Sequence, residues 1–297
     1  MLDGIMIVWF ILTALSLLFA IYDLSTNTPV SWVQKLAWIL VIAYTGPFGL
    51  FVFLLACRNP GKGLHATFTR ANWKQGVNSE MHCLAGDATG IILCAIILSF
   101  FSLTPGVDLI LEYVSAWIIG LFIFQALMML DMFGNNYLRA VRKTIFVETV
   151  SMNMVMVGMI PVMVVLLHQF PESDDPGHPS FWFRMSMGAV VGGLTGFPIN
   201  WWLVARGLKH GCMTVPEKDA TPVESSEHSE HASHQVHEHH DSGMDHEHMD
   251  MSGDMHGCHG MQMATLPIWQ QIAWILGTFI LLGVAVWITT LFAPIRF

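Results

Sequence analysis

Charge is scarce in this chain. Of its 297 residues only 12% are Asp, Glu, Lys or Arg, against 54% hydrophobic, which excludes an ordinary water-soluble domain. Basic residues are scarcer still, 13 against 22 acidic ones, and the resulting net charge of −9 excludes a protein that grips nucleic-acid phosphates. Cysteine is sparse and odd in number: Cys57, Cys83, Cys94, Cys212 and Cys258 follow no secreted-scaffold spacing, so no disulfide framework is expected. No Lys or Arg precedes Lys35, and no small-residue cleavage pattern follows the first apolar run. That run is therefore expected to be a retained membrane anchor, not a signal peptide. Also missing are a phosphate-binding glycine loop, a nucleophile elbow and a His-Glu-x-x-His motif, so nothing points to nucleotide-driven work or to hydrolysis.

What is present is long apolar runs. A membrane-spanning helix needs about 20 mostly apolar residues, and seven segments meet this, at roughly 3–22, 34–57, 83–103, 109–132, 147–168, 182–206 and 267–292. The expected fold is an all-α polytopic bundle: six spans over 1–212, a polar segment over 213–264, and a seventh span within 265–297. Ten basic residues (Arg58, Lys62, Arg70, Lys74, Arg139, Arg142, Lys143, Arg206, Lys209, Lys218) fall in even-numbered loops, while Lys35, Arg184 and Arg296 mark the other side. The positive-inside bias then places the N-terminus and the polar segment in the cytoplasm and the C-terminus outside.

The net charge belongs to one place. Between Glu217 and Asp254 lie 11 of the 22 acidic residues and a single base, Lys218, so this stretch carries −10 and the remainder +1. Ten of the 15 histidines lie between His228 and His259. Among them, His237, His239, His240, His246, His248, His256 and His259 alternate with Met249, Met251, Met255, Met261, Met263 and Cys258. Imidazole ligates zinc, nickel and copper alike, whereas thioethers add affinity chiefly for Cu(I). The segment is therefore read as a disordered copper collector, with zinc or nickel as further cargo for its histidines; the plain alternative is a polar spacer.

Within the spans, Met152, Met156, Met159 and Met163 recur on one helical face within about 60°, over a rise of about 16 Å, with Glu148 at the edge of the stripe. Methionine at this spacing is commonly core packing. Taken with the Met-rich segment, and with Met128, Met129, Met132, Met185 and Met187, it reads as a ladder that passes a soft cation from site to site. The third span opens with His82 and Cys83, followed by Asp87, Gly90 and Cys94. A carboxylate one turn inside a span costs a few kcal/mol unless paired or functional. Hence His82, Cys83 and Asp87 are candidate metal ligands at the cytoplasmic mouth, and Asp87 and Glu148 candidate proton-relay groups; packing or interfacial roles are the alternatives. Gly188, Gly192, Gly193 and Gly196 are expected to admit a close neighbouring helix, and Pro161 and Pro198 to kink or break theirs.

The strings Met81-His82-Cys83-Leu84-Ala85-Gly86-Asp87, Gly158-Met159-Ile160-Pro161-Val162-Met163 and Phe197-Pro198-Ile199-Asn200-Trp201-Trp202, with Gly207-Leu208-Lys209-His210-Gly211, resemble the bacterial domain-of-unknown-function family four-three-nine-six. The resemblance covers roughly residues 75–215, with a weaker likeness in the last span. It implies a multi-span membrane protein with a copper theme and assigns no residue a role; Ala85 stands where members often carry a second Cys.

The combined expectation is a multi-pass protein of the bacterial cytoplasmic membrane that binds copper as Cu(I) and moves or buffers it. Its partners would be the lipid bilayer and the metal ion, with a copper chaperone or a second copy as further candidates and no nucleic acid. Two other readings stand beside it. One is a membrane-anchored metal sequestration or sensing protein; the other is a metalloenzyme in which His82, Cys83, Asp87 and His168 hold a redox metal or haem.

Overall fold

The computed structural model describes residues 2–101, 103–130, 133–211 and 264–294. Seven helices in it are long and apolar enough to cross a membrane, matching the expected number, and no strand occurs among the described residues. They are α1 (Leu2–Thr26), α2 (Trp32–Ala56), α3 (Asn72–Leu98), α4 (Pro105–Met128), α5 (Tyr137–Gln169), α6 (Pro179–Ala205) and α7 (Ile268–Phe292). α1 and α7 expose Leu, Ile and Val around most of their circumference, as lipid-facing helices do. The interior instead holds Asn78, Ser79, Glu80, Asp87, Glu148, Ser151, Asn153 and Asn200, all fully buried. Because lipid tails are as apolar as Leu, association in a bilayer rests on close packing and hydrogen bonds between helices.

Small residues set the approach. α5 and α6 share the most extensive contact, and a Cβ on Gly192 would stand 3.2 Å from Met159 Cβ and from the Val155 carbonyl oxygen. The α6 glycines therefore do the packing expected of them. Pro161 and Pro198 lie inside α5 and α6, which continue through them. Asn153 accepts from the Tyr113 hydroxyl at 2.6 Å and donates to Thr278 at 3.1 Å, joining α4, α5 and α7.

The backbone break falls in α2. Gly46 has φ 58°, ψ −137°, a conformation suited to glycine, and Pro47 lacks the N–H that would carry a helix onward. Beyond this pair the chain reverses. Trp38 and Phe53 rings lie 5.2 Å apart, and Gln34 Nε2 stands 3.9 Å from Cys57 Sγ, although a straight helix would separate these pairs by about 22 and 34 Å. Asn78 of α3 clamps both arms: its Oδ1 accepts from Gln34 Nε2 (3.0 Å) and Trp38 Nε1 (3.2 Å), and its Nδ2 donates to the Ala56 carbonyl (3.0 Å). α2 is a re-entrant helical hairpin that enters and leaves at one end of the bundle.

This changes the connectivity expected from seven crossings. The end of α1 and the residues after α2 meet directly, through the Asp23–Arg58 ion pair (3.1 Å) and reciprocal bonds between Asn27 and Asn59. Six helices cross, so the start of α1 and the end of α7 share one end of the bundle, where opposite ends were expected. The start of α1 also lies opposite the 206–267 connection, where the same end was expected. Lys35 now joins Arg58, Lys62, Arg70, Lys74, Arg139, Arg142, Lys143, Arg206 and Lys209 at one end, the basic end; of the described bases only Arg184 lies toward the other, beside Asp108, Glu112 and Asp174.

Candidate functional site

α3 begins at Asn72, eleven residues before the expected start of its span. The polar run Asn78-Ser79-Glu80 looks like loop, yet it is helical and buried because α2 and α6 supply its partners. His82, Cys83 and Asp87 consequently sit in mid-helix, not at a mouth. Likewise α5 begins at Tyr137, capped by Asn136 Oδ1 accepting from Arg139 N (3.0 Å), so Glu148 lies three turns inside it.

These residues meet a lysine. α6 ends in a glycine cap: Gly207 has φ 65°, and the Leu208 N–H returns to the Leu203 carbonyl at 2.9 Å. Leu208 then packs on Phe146, Val147 and Val150 of α5, and the turn directs Lys209 back into the bundle. The Lys209 ammonium donates to Cys83 Sγ at 2.7 Å and to Asn200 Oδ1 at 2.8 Å. Cys83 also donates to Glu148 Oε2 (3.3 Å) and accepts from Ser151 Oγ (3.3 Å). Asn200 Nδ2 donates to Ser151 Oγ (2.6 Å) and to Glu80 Oε2. Burial pulls the Lys209 pKa down, but the neighbouring Cys83, Glu148 and Glu80 outweigh it and hold it above the ordinary lysine value.

Around this ammonium the carboxyls are in excess. Asp87 and Glu148 face each other across Gly120 of α4, where a Cβ would stand 3.0 Å from Asp87 Oδ1 and 2.5 Å from Glu148 Oε1. Gly120 opens a π-helical turn, Gly120–Gln125, a distortion that recurs at functional sites. Among the described residues no hydrogen bond reaches Glu80 Oε1, Glu148 Oε1 or either oxygen of Asp87. Three buried carboxylates against one ammonium leave uncompensated charge that low-dielectric surroundings do not tolerate. Chemically, the centre must hold protons or another cation. Among the described residues no hydrogen bond reaches either ring nitrogen of the buried His82, which takes no part in the network. No three His, Cys, Asp or Glu side chains among the described residues are grouped to hold a metal ion.

The methionine stripe is one buried face, as expected: Met152, Met156, Met159 and Met163 are all in the core. It starts one turn beyond Glu148, and Met159 and Met163 lie against Gly188 of α6. At the far end Met163 and His168 line a cavity of about 490 Å³ with Asp108, Glu112, Asp174 and Arg184. Met128, Met129 and Met185 are buried, and Cys94 is half-buried. Met132, Cys212 and the segment residues His237, His239, His240, His246, His248, Met249, Met251, Met255, His256, Cys258, His259, Met261 and Met263 lie outside the described residues.

Sequence reasoning missed Glu80, Ser151, Asn200 and Lys209 as members of the centre. Glu80 carried a signal, standing one helical turn before Cys83; Lys209 had the look of an ordinary loop base.

The matched region coincides with this centre. Residues 72–209 match the family Domain of unknown function (DUF4396). The DUF4396 match starts at the first residue of α3 and ends at Lys209, so it holds Glu80, Cys83, Asp87, Glu148, Ser151, Asn200 and the whole methionine stripe. It leaves out α1, the re-entrant hairpin and α7, which lie outside the matched residues. No curated protein and no solved structure matches the chain.

Proposed function

We propose that this protein is a membrane carrier for a soft monovalent cation, Cu(I), whose buried centre holds either the ion or the ammonium of Lys209. The observation that carries the reading is the enclosure of one ammonium by a thiol and three carboxyls, several of whose oxygens have no hydrogen bond among the described residues. A cation arriving there displaces Lys209 from Cys83, and protons exchanged at Glu80, Asp87 and Glu148 balance the charge. Intramembrane ionisable groups mark ion paths and proton relays in just this way.

Copper is favoured by ligand softness. Thioether and thiol donors select Cu(I) over the harder divalent ions, and the stripe from Met152 to Met163 joins the centre to the acidic cavity at the other end. Sites that bind weakly and in series suit conduction better than a closed cage would. The His/Met-rich segment begins just after Lys209, at the basic end, which the positive-inside bias makes cytoplasmic. In this reading the segment buffers ions on that side.

The test is Cu(I) flux in proteoliposomes under reducing conditions, read by an enclosed Cu(I) chelator alongside a pH-sensitive dye. Saturable copper entry with opposite proton movement is expected. Copper entry equal to that of empty liposomes rejects carriage, and binding confined to the isolated 213–264 peptide would leave the sequestration reading in its place.

A further inference from the structure

At the end of the bundle away from the basic residues, two adjoining cavities of about 620 and 490 Å³ share Asp108 and Glu112 of α4, Asp174 of the turn before α6, and Arg184 of α6. Each lies in the range of sites that enclose a small molecule, about 300–1,000 Å³. Arg184 is only 5% exposed, and its guanidinium carbon stands 5.5 Å from the Phe181 ring centroid, over a face that steadies the fork without neutralising it. Among the described residues no hydrogen bond reaches Arg184 Nε, and none of the three carboxyls stands close enough to form an ion pair with the guanidinium. Asp108 Oδ1 is likewise buried without a hydrogen bond among those residues. Opposite charges therefore line one chamber and do not pair, although an ionisable group left alone inside a membrane protein is costly.

We infer that this chamber binds a zwitterion of the α-amino-acid class, its carboxylate on Arg184 and its ammonium among Asp108, Glu112 and Asp174. A guanidinium presents paired N–H donors that match a carboxylate, and the three carboxyls supply acceptors for an ammonium. A cation alone would leave Arg184 unpaired, and an anion alone would be opposed by three carboxyls, so a ligand carrying both signs satisfies the set. The walls favour an apolar side chain: Leu109 of α4 and Met163, Val164 and Leu167 of α5 line the smaller cavity. This site goes beyond the carrier proposed above and does not rest on it, because the zwitterion is held without metal and without Cys83 or Lys209.

The experiment uses full-length protein in nanodiscs with a metal chelator present, and three probes that share one side chain: L-leucine, isopentylamine, which lacks the carboxylate, and isocaproate, which lacks the ammonium. Binding of radiolabelled leucine is read by scintillation proximity, and the unlabelled probes compete with it. Saturable leucine binding is expected, with isopentylamine and isocaproate each at least tenfold weaker competitors than leucine. Arg184→Gln should lower leucine affinity at least tenfold, and Arg184→Lys, which keeps the charge and loses the fork, should recover part of it. Because Arg184 is buried and its loss can disturb folding, Glu112→Gln, at a half-buried position, is made beside it and should also weaken leucine binding. No saturable leucine binding, competition by the amine or the acid as strong as by leucine, or leucine affinity unchanged in either variant overturns the proposal.

Discussion

Lys209 and Cys83 are 126 positions apart, yet the ammonium of one donates to the sulfur of the other at 2.7 Å inside a bundle of apolar helices. The contact exists because Gly207 caps α6 and turns the chain inward, and because α3 carries its polar run where α5 and α6 can enclose it. It makes Lys209 the neutralising partner of the centre, and the consequences are measurable.

Lys209→Met removes the single cation from among Cys83, Glu148 and Glu80. Breaking a buried pair in this way costs about 3–5 kcal/mol, because the partner charge stays buried. Thermal unfolding in detergent should show a large drop, with much of it restored by adding Glu148→Gln. The pH sign follows from the raised Lys209 pKa. A raised folded value stabilises fully below the unfolded lysine value and is lost as pH rises through the folded one, so the gap between wild type and variant should close only in strong alkali. A double variant no more stable than Lys209→Met would contradict the pairing.

Asn78→Ala deletes the clamp on both arms of the hairpin. It strands Gln34 Nε2, Trp38 Nε1 and the Ala56 carbonyl in the interior, at about 1–3 kcal/mol for each unsatisfied group. Asn78→Asp keeps the acceptor and loses the donor, so its unfolding temperature should fall between those of wild type and Asn78→Ala. A neutral Asn78→Ala would mean that the arms hold together without it.

The hairpin also sets sidedness. Single cysteines at Thr26, Lys62 and Arg206, in a background without native cysteine, should react with a membrane-impermeant maleimide from one face, and one at Glu172 from the other. A straight second helix would place Thr26 and Lys62 on opposite faces.

Some of this was legible in the residues and some was not. Seven apolar runs name seven helices correctly, but length and apolarity are the same for a crossing helix and for a hairpin buried against its neighbours. The Gly46-Pro47 pair was the available signal, since such a pair marks a turn more often than a helix interior. The single face of Met152, Met156, Met159 and Met163 follows from the helical period and needs no tertiary information. The start of α3 was hidden because Asn78, Ser79 and Glu80 find partners only through long-range contacts with α2 and α6. Lys209 was hidden for the same reason: its role depends on the turn at Gly207, two residues after α6 has ended.

Met156→Leu with Met159→Leu separates packing from ion passage. Leu and Met are close in volume, and such exchanges cost less than about 1.5 kcal/mol each. The double variant should unfold within a few degrees of wild type and carry Cu(I) at least tenfold more slowly in proteoliposomes. Unchanged flux would reduce the stripe to packing against Gly188 and Gly192.

The most direct test of the central claim is Cu(I) flux through Cys83→Ser. Serine can retain the hydrogen bonds to Lys209, Glu148 and Ser151 while removing the soft sulfur from the centre. The account predicts an unfolding temperature close to wild type and at least a tenfold loss of Cu(I) transport. Full transport by a stable Cys83→Ser protein would contradict it.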